Sequence, residues 1–160
     1  MTEKEYNDCV SLYADNVYRF ILKNLGHSED SKDVVQGAFE KLWRSRETVD
    51  NTKSRSFLFT GAYHQMIDHI RKNKRIVLND LNGDERATTQ RHSYMKRVLD
   101  EALQRLSETQ RSLVLLKDYE GYSYEEIGQI TGLSMSQVKV YLHRARMTLK
   151  EYLGKMENVG

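Results

Sequence analysis

The sequence predicts an all-α chain: two small helical domains joined by a flexible linker, the C-terminal one a helix-turn-helix. Three observations predict it. Proline is absent from all 160 residues, and proline is the residue that breaks helices and stiffens loops. Apolar residues recur at spacings of three and four in several separate runs. Serines followed three residues later by Glu or Gln stand ahead of the later runs, the pattern of a helix-opening capping box. At 39% hydrophobic and 30% charged residues, with ten Tyr, four Phe and one Trp, the chain is too apolar and aromatic for disorder, yet polar enough for two surface-rich domains.

The elements follow in order. Tyr6, Val10, Tyr13, Val17, Phe20, Ile21 and Leu25 make one amphipathic stripe over 6–25, and Gly26 ends it. Ser28 is suited to cap the next helix, with Glu29 and Asp30 at its positive N-terminus. Val34, Val35, Ala38, Phe39, Leu42 and Trp43 form that helix's stripe. Residues 47–54 carry no period and read as a loop. A third helix, about 55–72, turns Phe57, Leu58, Ala62, Met66, Ile67 and Ile70 inward and ends in the cationic run Arg71, Lys72, Lys74, Arg75. Residues 76–93 lose the pattern, contain the turn signal Asn82-Gly83-Asp84, and read as the linker.

The second domain begins near Tyr94. Met95, Val98, Leu99, Ala102, Leu103 and Leu106 form a stripe. Ser107-Glu108-Thr109-Gln110 opens a helix that runs to about Tyr119, before Gly121. Ser123-Tyr124-Glu125-Glu126 opens a short helix with Ile127 and Ile130 inward, closed by Gly132. Ser134-Met135-Ser136-Gln137 opens another only two residues later. Two capped helices across so short a glycine turn are the helix-turn-helix arrangement. At about 100° per residue, setting Val138 to 0° puts Leu142, Ala145 and Leu149 at about 40°, −20° and 20°, one narrow core stripe. Ser136, Val140, His143 and Met147 fall opposite it, with Gln137 and Arg144 on one edge and Lys139, Arg146 and Lys150 toward the other. Small and amide groups near the start of such a face suit base edges, and cations further along suit phosphate. The bland reading is a solvated helix on a bundle.

Charge alternates along the chain. The net is −3 over residues 1–52, +6 over 53–98, −4 over 99–133 and +3 over 134–160. The basic blocks coincide with the third helix and the reading helix, which suits phosphate, and the acidic blocks suit protein contacts. A single cysteine, Cys9, excludes an internal disulfide and a Cys-based zinc site and suits a reducing compartment; on its helix's apolar side it reads as packing. No apolar run approaches the ~20 residues of a membrane span, and the charged start Met1-Thr2-Glu3-Lys4-Glu5 lacks a signal-peptide core. A cytoplasmic chain with no membrane insertion of its own is expected. His64 and Asp68 share a helix face, but His69 points about 100° away from Asp68 and no third ligand stands near, so a hydrogen-bonding pair is favoured over a metal site. No cofactor is expected.

At this point the chain resembles a known family. Glu125-Glu126-Ile127-Gly128-Gln129-Ile130-Thr131-Gly132-Leu133-Ser134, followed by Val138-Lys139 and Leu142-His143-Arg144-Ala145-Arg146, is similar to the fourth-domain promoter-reading motif of extracytoplasmic-function (group IV) sigma factors of bacterial RNA polymerase. Asp33-Val34-Val35-Gln36-Gly37-Ala38-Phe39 with Leu42-Trp43 resembles the family's polymerase-binding helix. Phe57-Leu58-Phe59-Thr60 through Ile67-Asp68-His69-Ile70-Arg71-Lys72 resembles its −10 recognition helix. Several positions depart from the pattern. Ser107 stands where Pro is common, Gly37 where an acidic residue is frequent, Phe57 where Trp is common, and Tyr63-His64 where Arg-Asn is common. Gln137, Val140 and Tyr141 replace frequent Thr, Ser and Arg, so the promoter sequence does not carry over from relatives.

The resemblance implies a non-enzymatic factor that binds core RNA polymerase, directs it to promoter DNA, assists melting and is held by an anti-sigma factor. It implies a sigma domain two over 1–75, a linker over 76–93 and a sigma domain four over 94–160. Asp33, Gln36, Phe39 and Glu40 would meet polymerase. Asn51, Thr52, Lys53, Arg55, Tyr63, His64, Arg71 and Lys72 would lie along the −10 element. Ser136, Gln137, Lys139, Val140 and His143 would approach base edges at −35, with Arg144 and Arg146 on phosphates. The rival reading is a helix-turn-helix regulator that does not bind core polymerase.

Overall fold

The computed structural model describes residues 1–77 and 94–159. Among them every regular element is helical. The chain separates into two compact units, Met1–Ala87 and Thr88–Gly160. Most of the expected linker lies outside the described residues.

The N-terminal unit holds α1 (Glu3–Leu25), α2 (Ser28–Arg44), a 3₁₀ turn (Asn51–Lys53) and α3 (Ser54–Val77). Helix α1 starts three residues earlier than the apolar period suggests. Thr2 Oγ1 accepts from the Glu5 amide at 3.1 Å, and Glu5 Oε1 accepts from the Thr2 amide at 2.8 Å. This capping box satisfies two orphan donors before the first apolar residue appears. Gly26, at φ 75°, ends α1 with its amide on Leu22, a backbone angle that side chains avoid. Ser28 is not the cap of α2: His27 holds that position without a side-chain bond, and the Ser31 hydroxyl donates to the His27 carbonyl at 2.6 Å.

The three helices pack against one another. Val17, Phe20 and Ile21 of α1, Val34, Ala38 and Leu42 of α2, and Leu58, Phe59, Ala62 and Met66 of α3 are buried, each large side chain contributing about 1.5–3 kcal/mol. The Phe20 and Phe59 rings meet at 5.6 Å. A Cβ on Gly37 would stand 2.2 Å from Gln65 Oε1, so the helix-weakening glycine makes room for an α3 side chain against α2. Burial raises the Cys9 thiol pKa, partly opposed by a hydrogen bond with Ser54; the cysteine packs, as its position implied. Helix α3 continues to Val77, two residues into the expected linker.

The C-terminal unit holds α4 (Tyr94–Gln104), α5 (Glu108–Val114), a π-helical turn (Leu115–Tyr119), α6 (Tyr124–Thr131) and α7 (Met135–Val159). Helix α7 packs against α4, α5 and α6. Ser107, where relatives were expected to have proline, caps α5: its hydroxyl accepts from the Gln110 amide at 3.2 Å. The helix runs on to Tyr119 as expected, but its end is wound wide. The Glu120 amide bonds the Leu115 carbonyl five residues back, at 3.0 Å.

Candidate nucleic-acid interface

Helices α6 and α7 are joined by a turn whose every residue has a local reason. Ser123 and Glu126 close a capping box at 3.0 and 3.1 Å. Gly132 takes φ 80° and returns its amide to Gly128. The Thr131 hydroxyl donates to Ile127 at 2.8 Å and accepts from the Leu133 amide at 3.3 Å. A Cβ on Gly128 would lie 2.9 Å from the Leu133 carbonyl oxygen, so the turn can fold back this closely only onto glycine. Ser134 and Gln137 close the next capping box, at 2.9 and 3.1 Å.

The expected stripe of α7 is inside: Val138, Leu142 and Ala145 are buried and Leu149 is half-buried. The opposite side is outside. Ser136, Gln137, Lys139, Val140, His143, Arg144, Arg146 and Met147 are all exposed. Two of these side chains are already engaged. Gln137 Oε1 accepts from the Ser134 amide, so its amide cannot make a bidentate adenine contact while that cap is closed. Arg146 points Nε and a terminal nitrogen at the two Asp118 oxygens, at 3.3 and 2.6 Å. That charged hydrogen bonding, with a smaller contribution from Tyr124, raises the guanidinium pKa against the opposing effect of burial. Sequence periodicity missed Asp118 because the π-helical turn shifts the phase of everything after Leu115.

Tyr124, the first residue of α6, collects cations. Lys117 Nζ lies 4.6 Å from its ring centroid and Lys139 Nζ 5.8 Å. A tyrosine opening a helix and a lysine just before a glycine turn carry no motif that would pair them.

In the N-terminal unit the segment expected as a loop is ordered. Asp50 Oδ1 accepts from the Thr52 amide at 3.0 Å, and the Ser54 hydroxyl donates to the Asn51 carbonyl at 2.8 Å. The resulting 3₁₀ turn leaves Asn51, Thr52 and Lys53 exposed. Arg55 is half-buried, 5.8 Å from the Phe59 ring. Tyr63 corrects expectation: at 7% exposure it is a core side chain without a free face for stacking. His64 beside it is exposed, its ring 5.5 Å from that of Tyr63. Arg71 and Lys72 are exposed, and Arg71 lies two turns beyond His64 on the same side of α3. Arg55 and Arg71 are about 24 Å apart along the helix axis, so these residues form a track and not one pocket. The His64–Asp68 pairing is replaced by another: His69 Nε2 sits 3.3 Å from Asp30 of α2 and 2.9 Å from Asn73. Among the described residues no group of metal ligands forms, and no helix is long and apolar enough to cross a membrane.

On α2, Asp33, Gln36 and Glu40 are exposed along one side, with Gln36 donating to Glu40 at 3.2 Å. Phe39 turns the other way. It is 9% exposed, and its carbonyl accepts from the Tyr6 hydroxyl at 3.1 Å, so the ring keeps its place in the apolar stripe of α2 and offers little surface to polymerase. Nearby, Trp43 has the Tyr6 ring at 4.9 Å and the Arg46 guanidinium at 3.8 Å.

Residues 9–76 match the family model described as Sigma-70 region 2, and residues 96–149 match Sigma-70, region 4. The chain is 28% identical over 158 residues to the RNA polymerase sigma factor YlaC of Bacillus subtilis, covering 92% of this chain and 91% of that protein. It is 30% identical over 151 residues to the ECF RNA polymerase sigma factor SigL of Mycobacterium tuberculosis, covering 87% of this chain and 85% of that one. Its fold is similar to that of the sigma factor RpoE from Bartonella quintana, solved in complex with the anti-sigma factor NepR. The TM-score is 0.82 at 24% identity, over 94% of this chain and 98% of that one. With both regions matched in order, the second of them holding the helix-turn-helix, the chain belongs to the extracytoplasmic-function family of RNA polymerase sigma factors.

Proposed function

We propose that the chain binds core RNA polymerase, directs it to promoters by reading −10 and −35 elements, and assists strand opening without catalysing a reaction itself. The observation that carries this reading is α7: one side buried, the other polar at its start and basic further along, held by a two-cap glycine turn. That is the form of a helix lying in the major groove with its N-terminal residues at base edges. Ser136, Val140 and His143 are the groove candidates, Lys139 stands at the basic edge of that face, and Arg144 is the freer of the two arginines for phosphate. Gln137 makes a bidentate base contact only by opening its own cap.

In the N-terminal unit, strand opening must offset about 1.4 kcal/mol of stacking per base-pair step. With Tyr63 inside, base capture falls to the exposed Asn51, Thr52, Lys53 and His64, and Arg71 and Lys72 supply phosphate attraction along the same track. The exposed strip Asp33, Gln36 and Glu40 is the surface for core polymerase. The chain acts where polymerase and chromosome are, in the cytoplasm, and an anti-sigma factor holds it inactive, as the solved complex of the Bartonella relative suggests.

Transcription in vitro with core polymerase and a genomic DNA library tests the reading. Start sites that appear only with both proteins, and that share two spaced elements, are expected. DNA binding without stable association with core polymerase would overturn it in favour of a helix-turn-helix regulator.

A further inference from the structure

The Tyr124 ring gathers two lysines from different parts of the C-terminal unit, Lys117 from the π-helical turn at 4.6 Å and Lys139 from α7 at 5.8 Å. Arg146 feels the same tyrosine electrostatically, but two of its nitrogens face the Asp118 carboxylate. The Asp118 charge therefore compensates Arg146, and the net positive charge of the cluster rests on the two lysines. Each lysine has its long flexible side chain steered by the ring face, which attracts ammonium groups. A cation that is already steered loses less conformational freedom when it meets a phosphate. The π-helical turn is what turns both Lys117 and Asp118 toward α6 and α7.

We propose that Lys117 and Lys139, gathered on Tyr124, form a DNA-backbone contact of the C-terminal unit, and that Asp118 and Arg146 are positioning residues for it and not DNA contacts. The inference rests on the reading of α7 as a major-groove helix and extends the interface to a turn outside the helix-turn-helix. Lys139 contributes from the reading helix itself. Lys117 approaches from beside the first helix of the motif, so the pair grips backbone at the groove edge. Arg146 ties α7 to the π-helical turn and keeps the two lysines on one ring.

The test is the salt dependence of promoter binding by the holoenzyme, on a duplex taken from the mapped start sites. Each lost phosphate contact lowers the log–log slope by about one. Lys117→Ala is expected to lower the slope by about that amount, and Lys117→Arg to restore it. Arg146→Ala is expected to weaken binding several-fold at fixed salt with the slope unchanged, and Arg146→Lys to recover most of the affinity. An unchanged slope for Lys117→Ala overturns the contact, and a lowered slope for Arg146→Ala overturns the positioning role. Wild-type holoenzyme that makes no specific complex with such duplexes defeats the major-groove reading itself and the inference with it. Far-UV circular dichroism on each variant separates these outcomes from misfolding, and the Lys117→Arg arm stands if Lys117→Ala fails to fold.

Discussion

The buried guanidinium of Arg111 donates to the Leu103 carbonyl at 2.9 Å and to the Leu106 carbonyl at 3.1 Å. Leu103 lies in the last turn of α4, where its carbonyl also accepts from the Leu106 amide at 3.1 Å, and a cation there meets the negative end of the helix dipole. Burial pulls the Arg111 pKa below its usual value, with Glu108 opposing, yet arginine stays charged. Arg111→Met is expected to leave the Leu106 carbonyl without this donor and the Leu103 carbonyl with the Leu106 amide alone, and to cost on the order of 1–3 kcal/mol. Urea unfolding followed by far-UV circular dichroism measures it; a loss below half a kcal/mol on the same scale would mean that water replaces the guanidinium.

Two helical glycines should respond to alanine with opposite signs. Gly61 is buried in α3, but a Cβ there meets nothing within 4 Å. Gly61→Ala should therefore stabilise the N-terminal unit by about 0.5–1 kcal/mol, the helix-propensity gain. At Gly128 the same gain is opposed by backbone overlap at the Leu133 carbonyl, 2.9 Å away. Gly128→Ala should lower the melting temperature of the C-terminal unit and weaken promoter binding, because the turn that sets α7 against α6 must open. Two variants that shift melting in the same direction would refute the packing argument.

These contrasts mark what could be read from residues alone. Gly26, Gly132 and the caps at Ser107, Ser123 and Ser134 were legible because each is a local device, complete within four residues. The inner stripe of α7 was legible because Val138, Leu142 and Ala145 keep one helical period. Arg111 was not, since a charged side chain in a helix reads as surface until its distant carbonyls are known. Phe39 stood both in the apolar stripe of α2 and among the expected polymerase contacts, and Tyr63 among the −10 residues, because an aromatic ring suits a core and a stacking surface equally. Asp118 and Lys117 follow a wide turn that no 3.6-residue period describes. The Thr2–Glu5 cap was a readable signal, hidden because it precedes the first apolar residue of α1.

Acid should loosen the N-terminal unit through two carboxylates. The Thr52 amide holds the Asp50 pKa below its usual value, and the Thr2 amide and hydroxyl do the same for Glu5. A carboxylate with a lowered folded-state pKa binds fewer protons folded than unfolded. Its stabilising effect is thus complete above the unfolded value, about 4, and disappears as pH falls through the folded value. Asp50→Asn and Glu5→Gln should each flatten the fall of stability with pH below about 4. Trp43 is the only tryptophan and lies in this unit, so its fluorescence during urea unfolding follows the relevant transition. A curve as steep as wild type in both variants would rule these two groups out as the source.

The two sides of α2 should separate binding from folding. Asp33, Gln36 and Glu40 face outward, and Phe39, one residue before Glu40, is packed inside with its carbonyl on Tyr6. Truncating exposed side chains leaves the core intact, and two such truncations at the centre of an interface commonly cost a kcal/mol or more, about tenfold in affinity. Asp33→Ala with Gln36→Ala should therefore weaken core polymerase binding by about tenfold while the unfolding midpoint stays at its wild-type value. Phe39→Ala should do the reverse at first, removing about 3–5 kcal/mol of stability and losing polymerase binding only because the unit unfolds. Titration of labelled core polymerase, paired with denaturant unfolding of the same samples, distinguishes the two. If the double variant binds at wild-type strength, the acidic and amide strip is an ordinary solvated edge and polymerase must dock elsewhere on the unit.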